Sequence, residues 1–123
     1  MVKDIYPGEG GGVTVLSSAL VMIGSTVYLN AADDTHGYEL WKSDGTAGGT
    51  VLVRGFGGDR MPRVWLTALG DQVLFAADDV VSGAELWRSD GTPGGTVRVR
   101  DIRDGVLGSG PHGLVAMNGR VFF

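Results

Sequence analysis

The sequence predicts an all-β fold built from tandem four-stranded antiparallel units, and three observations lead to this prediction. A segment of about 46 residues is repeated, glycine supplies 22 of the 123 residues, and no stretch keeps the apolar period of a helix. Frequent glycine permits tight turns between short elements. Short strands repeated along a chain are typical of a β-propeller, in which each repeat forms one blade.

The repeat is clearest around a Glu-Leu-Trp motif. Residues 39–54 read ELWKSDGTAGGTVLVR and residues 85–100 read ELWRSDGTPGGTVRVR, so the two segments are 46 residues apart and differ at three of sixteen positions. LVMIGSTVYLNAADD (20–34) aligns with LTALGDQVLFAADD (66–79), and LVAMNGRVFF (114–123) begins this segment again. VKDIYPG (2–8) resembles VRDIRDG (99–105), so about two and a half units are present.

Each full unit is expected to contain four strands, because β-branched and aromatic runs alternate with Gly-rich and Asp-rich turns. The second strand of the unit is apolar or small on both alternating faces, with Val27 and Leu29 on one face and Tyr28 on the other. A strand of this kind lies between two other layers. This favours stacked blades over a two-sheet sandwich. The predicted strands are about 17–23, 26–32, 38–43 and 50–55, then 64–69, 72–78, 84–89 and 96–102.

We therefore predict one repeat domain over residues 1–123. Residues 1–16 would end one blade, 17–63 and 64–109 would form two blades, and 110–123 would start a further blade. Eleven strands are expected, and the last unit has no third strand. Such incomplete units are expected either in a piece of a longer chain or in copies that assemble into a ring.

Composition restricts the partners. The net charge is -4, the basic residues are scattered, and nucleic acid is not an expected partner. No apolar stretch approaches the roughly 18 residues that span a bilayer, so membrane insertion is not expected, and the residues after Met1 lack the apolar core of a signal peptide. The chain has no cysteine, and His36 and His112 occur in unrelated contexts, so no metal centre is predicted.

The Asp-Gly-Thr motif predicts a hairpin turn. Glycine would take a positive φ there, while the Asp carboxylate and the Thr hydroxyl accept backbone hydrogen bonds. The preceding tryptophan is expected to fill the space between adjacent blades. A calcium or sugar contact is the alternative for these positions. The structural motif comprises Trp41, Asp44, Gly45, Thr46, Trp87, Asp90, Gly91 and Thr92.

The loop between the second and third strands carries the candidate ligand-binding residues. Adjacent carboxylates could bind Ca²⁺, which prefers oxygen ligands, although the sequence lacks a calcium loop of the D-x-D-x-D-G type. A solvated turn is the alternative. Together with nearby aromatic residues, these carboxylates could hold a sugar by stacking and hydrogen bonds. The candidates are Asp33, Asp34, His36, Tyr38, Trp65, Asp78 and Asp79.

ELWKSDGTAGGT and ELWRSDGTPGGT resemble the bacterial ELWxxDGT-repeat proteins of myxobacterial type, and the likeness covers nearly the whole chain. The resemblance implies an extracellular or cell-surface location and no catalytic residue. Two segments depart from the family pattern. RGFGGDRMPRVW (54–65) replaces the usual connection between units, and VVSG (80–83) stands where the first unit has THG.

The expected function is recognition or adhesion by a non-enzymatic, exported or cell-surface module, with a glycan or a cell-surface protein as partner. Equivalent loops on repeated blades would present one weak contact several times and raise avidity. A first alternative is a self-assembling fragment that closes a ring as a homo-oligomer. A second is part of a propeller-type glycosidase or lyase, which would need carboxylates converging in one pocket.

Overall fold

The computed structural model describes residues 2–5, 20–33, 37–57 and 65–123. For residues 32, 33, 37 and 38 it describes the backbone alone. These residues form ten β-strands and contain no helix, and hence none that could cross a membrane. The prediction of an all-β fold is confirmed.

The strands form two four-stranded sheets and one two-stranded sheet, each antiparallel and in chain order. The first sheet contains β1 (Leu20–Ile23), β2 (Thr26–Asp33), β3 (Gly37–Ser43) and β4 (Val51–Gly55). The second sheet contains β5 (Thr67–Leu69), β6 (Gln72–Asp78), β7 (Ala84–Ser89) and β8 (Val97–Arg100). The third sheet contains β9 (Val115–Met117) and β10 (Arg120–Phe122).

All eight strands predicted for the two full units are present, and their ends differ from the predicted ends by three residues at most. The expected strand at the start of the chain is not found in residues 2–5, and residues 6–19 lie outside the described part. The described residues therefore contain ten strands where eleven were expected.

The first two sheets have the same register. Leu29 pairs with Trp41, and Phe75 pairs with Trp87. The pairing of the third and fourth strands shifts after Leu40 in the first sheet, and at the equivalent position in the second. Such a shift locally bends and twists the strand. The motif thus forms the same ladder twice.

The register corrects one detail of the sequence alignment. Ala32 pairs with Tyr38, and Asp78 pairs with Ala84, so the offset of 46 residues continues through these strands without a gap. Aligning the two AADD segments requires a gap of one residue, which would move every later side chain to the other face. The structural equivalent of Asp79 is therefore Asp33, the last residue of β2.

The first strands of the sheets lie beside one another, since β1 contacts β5 and β6, and β5 contacts β9. The second sheet lies between the other two. Its β6 is buried on both faces, with Val73 at 0% exposure and Leu74 at 8%. The core between the first and second sheets comprises Tyr28, Leu40, Val53, Phe56, Leu66, Val73, Phe75, Ala77 and Trp87, and that between the second and third comprises Leu74, Leu86 and Leu114.

The far face of the first sheet is covered less completely. Ile5, from the segment Val2–Ile5, packs there against Ala31 and Trp41. On β1, Leu20 is 49% exposed and Met22 64%. The repeated unit is therefore enclosed in the second sheet, whereas in the first sheet its first strand is partly open.

Candidate functional site at the junctions between sheets

The predicted loop residues are only partly within the described structure. Asp34 and His36 lie outside the described residues. Asp33 is the last residue of β2 and Tyr38 lies near the start of β3, and only their backbones are described. Trp65 precedes β5 and is 37% exposed. Because β5 and β6 are antiparallel, Trp65 lies toward the same end of the second sheet as the loop after β6.

The two acidic residues of that loop form its turn. Asp78 Oδ1 accepts a hydrogen bond from the Val80 N–H at 2.9 Å. Asp79 Oδ1 accepts bonds from the N–H and hydroxyl of Ser82 at 2.8 and 2.6 Å, and from the Val81 N–H at 3.2 Å. These carboxylates therefore organise their own backbone, as short polar side chains do in turns.

The electrostatics of Asp79 agree with this arrangement. Burial acts to raise the pKa of Asp79, but the hydrogen bonds from Ser82 and Val81 and the charge of Arg98 outweigh it and lower that pKa. Arg98 Nη1 lies 3.8 Å from Asp79 Oδ2. In the described ranges, no three His, Asp or Glu side chains are placed to hold a metal ion. The carbohydrate hypothesis stays a prediction, because the side chains of four of its seven residues lie outside the described part of the structure.

The Asp-Gly-Thr turn of the first sheet is held by side-chain hydrogen bonds. Asp44 Oδ1 accepts the N–H and the hydroxyl of Thr46 at 2.9 and 2.7 Å, and the Thr46 hydroxyl accepts the Gly49 N–H at 2.9 Å. The hydroxyl and N–H of Thr46 lower the pKa of Asp44. Gly45 has a φ of 90°, and a Cβ on Gly49 would overlap the Asp44 carboxylate. Each residue of the motif thus has a local structural role.

The second sheet repeats this turn. Asp90 Oδ1 accepts the N–H and hydroxyl of Thr92 at 2.8 and 2.7 Å, and the Thr92 hydroxyl accepts the Gly95 N–H at 2.9 Å. Gly91 has a φ of 85°. The pKa of Asp90 is lowered by the hydroxyl and N–H of Thr92 and by the charge of Lys42. The last interaction joins two sheets.

A Ser-Thr pair below each turn was missed by the sequence reasoning. Ser89 Oγ and Thr96 Oγ1 are 2.7 Å apart, and both residues are at most 1% exposed. Thr96 donates to the Thr92 carbonyl at 2.6 Å, so Ser89 donates to Thr96 and accepts the Gly91 N–H at 3.0 Å. The equivalent pair, Ser43 and Thr50, has the same 2.7 Å separation. Both repeats carry serine and threonine at these positions, and this was the sequence signal that could have revealed the pair.

The junction between the first and second sheets is formed by a segment that we call the exit segment, residues 53–56 (VRGF). Arg54 Nη1 donates to the Thr96 carbonyl at 2.9 Å, and its Cζ lies 5.0 Å from the Trp87 ring centroid. The Phe56 ring meets the Trp87 ring edge to face at 5.0 Å and 75°. The end of one sheet thus contacts the third-to-fourth-strand hairpin of the next.

The same contacts occur one unit earlier. Residues 2–5 (VKDI) are equivalent to the exit segment and lie against the hairpin of the first sheet. Lys3 Nζ donates to the Thr50 carbonyl at 2.8 Å and lies 5.9 Å from the Trp41 ring centroid, while Ile5 packs on Trp41. The same kind of contact, a cation and an apolar residue against the hairpin tryptophan, therefore occurs twice. Trp87 is buried between the first and second sheets, and Trp41 is buried against Ile5. That both tryptophans fill the space between blades stays a prediction.

A second group of contacts joins the turns of the two sheets. Lys42 Nζ donates to the Gly91 carbonyl at 2.7 Å. A Cβ on Gly91 would clash with the Tyr28 hydroxyl. Burial and then the charge of Asp90 raise the pKa of Tyr28. An open cleft of about 480 Å³ lies here and is lined by Thr26, Tyr28, Lys42, Asp44, Gly48, Gly49, Val51 and Asp90.

The glutamate of the Glu-Leu-Trp motif is buried in both sheets, and the sequence reasoning gave it no role. Glu85 is 0% exposed and accepts hydrogen bonds from the N–H groups of Ile102, Arg103 and Ser109 at 3.2, 3.3 and 2.8 Å, and from the Ser109 hydroxyl at 2.6 Å. Burial acts to raise the pKa of Glu85, but these bonds prevail and lower it. Glu85 therefore fixes the connection between the second and third sheets.

Comparison with protein-family models, curated proteins and solved structures finds no match for this chain. The resemblance to ELWxxDGT-repeat proteins stays a prediction that rests on the motif residues.

Proposed function

We propose that this chain is a non-enzymatic recognition module of β-propeller type that acts by assembly, with further copies of the chain docking on its two open sheet faces. The arrangement of the three sheets supports the proposal. Their first strands lie side by side, and each neighbouring pair of sheets packs face to face. By its resemblance, the module would act outside the cell or at the cell surface.

The first open face is on the first sheet. Leu20 on β1 is 49% exposed, whereas its equivalents in the other two sheets, Leu66 and Leu114, are 8% and 6% exposed. Those two leucines are covered in their junctions with neighbouring sheets. The exposed position of Leu20 therefore marks a face on which no other sheet packs among the described residues.

The second open face is on the third sheet. Val21 and Ile23 of the first sheet pack against the core that it shares with the second sheet. Their equivalents on β9, Val115 and Met117, are 58% and 56% exposed. Within the part of the chain that the structure describes, no further sheet packs on this face. The difference in exposure along this series of equivalent residues is the observation that carries the proposal.

The two open faces are complementary, because each junction joins opposite faces of successive units. The third sheet of one copy would precede the first sheet of the next. Such a head-to-tail contact gives a ring when the rotation closes and a filament when it does not. Contiguous exposed apolar residues are typical of interaction sites.

The carboxylates support the non-enzymatic part of the proposal. Glu85 accepts hydrogen bonds from its own loop, and Asp44 and Asp90 each use one oxygen in a turn. Glu39 accepts a bond from the Trp41 indole at 3.1 Å. A glycosidase needs a carboxylic acid and a carboxylate facing one sugar. These four groups serve the backbone and the motif.

Sedimentation velocity over a wide concentration range tests the assembly. We expect the mass to rise with concentration in the unmodified chain and to stay that of a monomer in Met117→Asp, which places a charge on the open face. Val81→Asp is the control, because Val81 is 75% exposed and lies in the loop after β6. A monomer at every concentration, or unchanged assembly of Met117→Asp, contradicts the proposal.

A further inference from the structure

The cleft between the turns of the first and second sheets lies inside the series of units, away from its ends. Its lining comes from β2, β3, β4 and the two Asp-Gly-Thr turns, all within the two complete sheets. Further units of the repeat would extend the series before the first sheet or after the third, not at this junction. The three internal segments outside the described residues connect to the opposite end of the first sheet, where β1 begins and β2 and β4 end.

The Tyr28 hydroxyl is a buried polar group of this cleft without a partner in the fold. Tyr28 lines the cleft and is 6% exposed, and its hydroxyl makes no hydrogen bond among the described residues. Burial and then the charge of Asp90 raise the pKa of Tyr28, so the hydroxyl stays protonated and can donate. A buried hydroxyl without a hydrogen bond costs free energy. The hydroxyl therefore weakens the fold unless a ligand pairs with it.

The repeat shows that packing does not need this hydroxyl. By strand register, the equivalents of Tyr28 are Leu74 in the second sheet and Phe122 in the third. Leu74 is 8% exposed and packs in the core between its own sheet and the third. An apolar side chain thus serves the same position, and among these three units the hydroxyl belongs to the first alone.

The other polar groups of the cleft include both donors and acceptors. Asp44 and Asp90 use Oδ1 in their turns, and within the described part of the chain each Oδ2 is left as a free acceptor. Lys42 Nζ gives one of its three N–H bonds to the Gly91 carbonyl, so two remain. The Thr26 hydroxyl can both donate and accept. A ligand here meets two carboxylates, one ammonium group and two hydroxyls.

We propose that this cleft binds a neutral polyhydroxylated ligand, namely a sugar with unmodified hydroxyl groups. An anionic ligand would meet two carboxylates, and a cationic one would meet the Lys42 ammonium group. A sugar hydroxyl, in contrast, can donate to a carboxylate and accept from Lys42 or Tyr28. The cleft volume of about 480 Å³ lies within the range of about 300–1,000 Å³ found for small-molecule sites.

This site goes beyond the proposed assembly and does not depend on it, because it lies within one chain. It also differs from the loop after β6 and the other positions first considered for a sugar, since none of those residues lines the cleft. The two locations can therefore be separated by substitution.

NMR titration of the full chain with glucose, galactose and mannose tests the site. We expect saturable chemical-shift changes at the amides of Gly48, Gly49 and Gly91 with at least one of these hexoses. Glucosamine and glucuronate, which carry an ammonium group and a carboxylate, should bind more weakly than that hexose.

Tyr28→Phe removes the hydroxyl and should weaken binding of that hexose about fivefold. Urea unfolding of this variant should show no loss of stability, because the hydroxyl has no partner in the fold. Asp90→Asn keeps the oxygen that holds the turn but replaces the free acceptor by a donor, and it should also weaken binding. Asp78→Asn is the matched control, since Asp78 likewise holds a turn through Oδ1, and it should leave the affinity unchanged.

Several results would overturn the inference. They are no saturable change with any of the three hexoses, tighter binding of glucosamine or glucuronate, full binding by Tyr28→Phe, or a loss of stability in that variant. If Asp78→Asn weakens binding and Tyr28→Phe does not, the sugar binds at the loop after β6 and the cleft proposal is wrong. If the chain binds a hexose but stays monomeric at every concentration, the proposed assembly fails and the cleft proposal stands.

Discussion

The first and second sheets have the same motif and register but different surroundings. Val73 in β6 is 0% exposed, whereas its equivalent Val27 in β2 is only half-buried. Five consecutive residues of β6 are buried, but only Tyr28 and Ala31 are buried among the described side chains of β2. Burial in this chain is therefore decided by the place of a sheet in the stack as well as by its sequence.

The two sheets also differ at the indole N–H of the motif. Glu39 and Glu85 are both 0% exposed, and Glu85 accepts hydrogen bonds from the loop that follows β8. In the second sheet, the Trp87 indole N–H is buried without a hydrogen-bond partner among the described residues. The Trp41 indole N–H, in contrast, donates to Glu39, so the two motif tryptophans differ in this hydrogen bond.

The largest expected difference between the sheets concerns the tryptophans. Trp87→Ala should lower the free energy of unfolding by about 4 kcal/mol, because a large buried side chain is removed from the main core. Trp41→Ala should cost about 3 kcal/mol, since its cluster is smaller and partly open. Urea unfolding followed by circular dichroism measures both. Trp65→Ala, at a half-exposed position, is the control and should cost under about 1 kcal/mol. An equal or larger loss for Trp41→Ala would contradict the comparison.

The second difference is the pH dependence contributed by Glu85. Its folded pKa lies below the ordinary value of 4.5, so its stabilisation is complete above that value and is lost as the pH falls through the folded pKa. Glu85→Gln should lower the free energy of unfolding by about 2 to 3 kcal/mol at pH 7, because charged hydrogen bonds are lost. The deficit should shrink as the pH falls below about 4.5.

Urea unfolding at several pH values checks this prediction. Asp104→Asn is the control, because Asp104 is an exposed carboxylate near the same loop and should have little effect. A deficit for Glu85→Gln that is constant with pH would mean that the carboxylate charge does not contribute to the stability of the loop.

The smallest expected difference concerns the cation of the exit segment, Arg54, and the equivalent cation of residues 2–5, Lys3. Arg54→Ala should cost about 1 kcal/mol and Lys3→Ala about 0.5 kcal/mol, since exposed cation–π contacts are weak and arginine lies closer to its ring, at 5.0 Å against 5.9 Å. Arg103→Ala is the control, because Arg103 is exposed and makes no cation–π contact among the described residues. Equal losses for the two variants would show that the junctions are energetically alike.

Much of the fold could be predicted, because its signals are local. Runs such as QVLFAAD between glycine and Asp-rich turns mark β6 at its observed bounds, and the Asp-Gly-Thr residues act on their own turn. The junctions could not be predicted in the same way. Arg54 and Trp87 are far apart in the chain, and only their geometry shows the contact.

The candidate site was predictable only where side chains act on neighbours in the sequence. Asp78 and Asp79 were candidate ligands with a turn as the alternative, and their hydrogen bonds within the loop follow turn chemistry. The role of Glu85 was missed because its partners extend to Ser109. The alignment error at AADD arose because identical letters favoured a gap that a paired strand does not tolerate.

The exit segment has a consequence for how such a chain can grow. Its cation and apolar residue lie on one unit, and the tryptophan and carbonyl that they contact lie on the next. A duplicated unit inserted anywhere in the series would therefore meet ready-made contacts on both sides. Nearest-neighbour contacts of this kind make the stability of a repeat protein additive over its length. The gene of such a protein can lengthen by whole units without any new interface having to evolve.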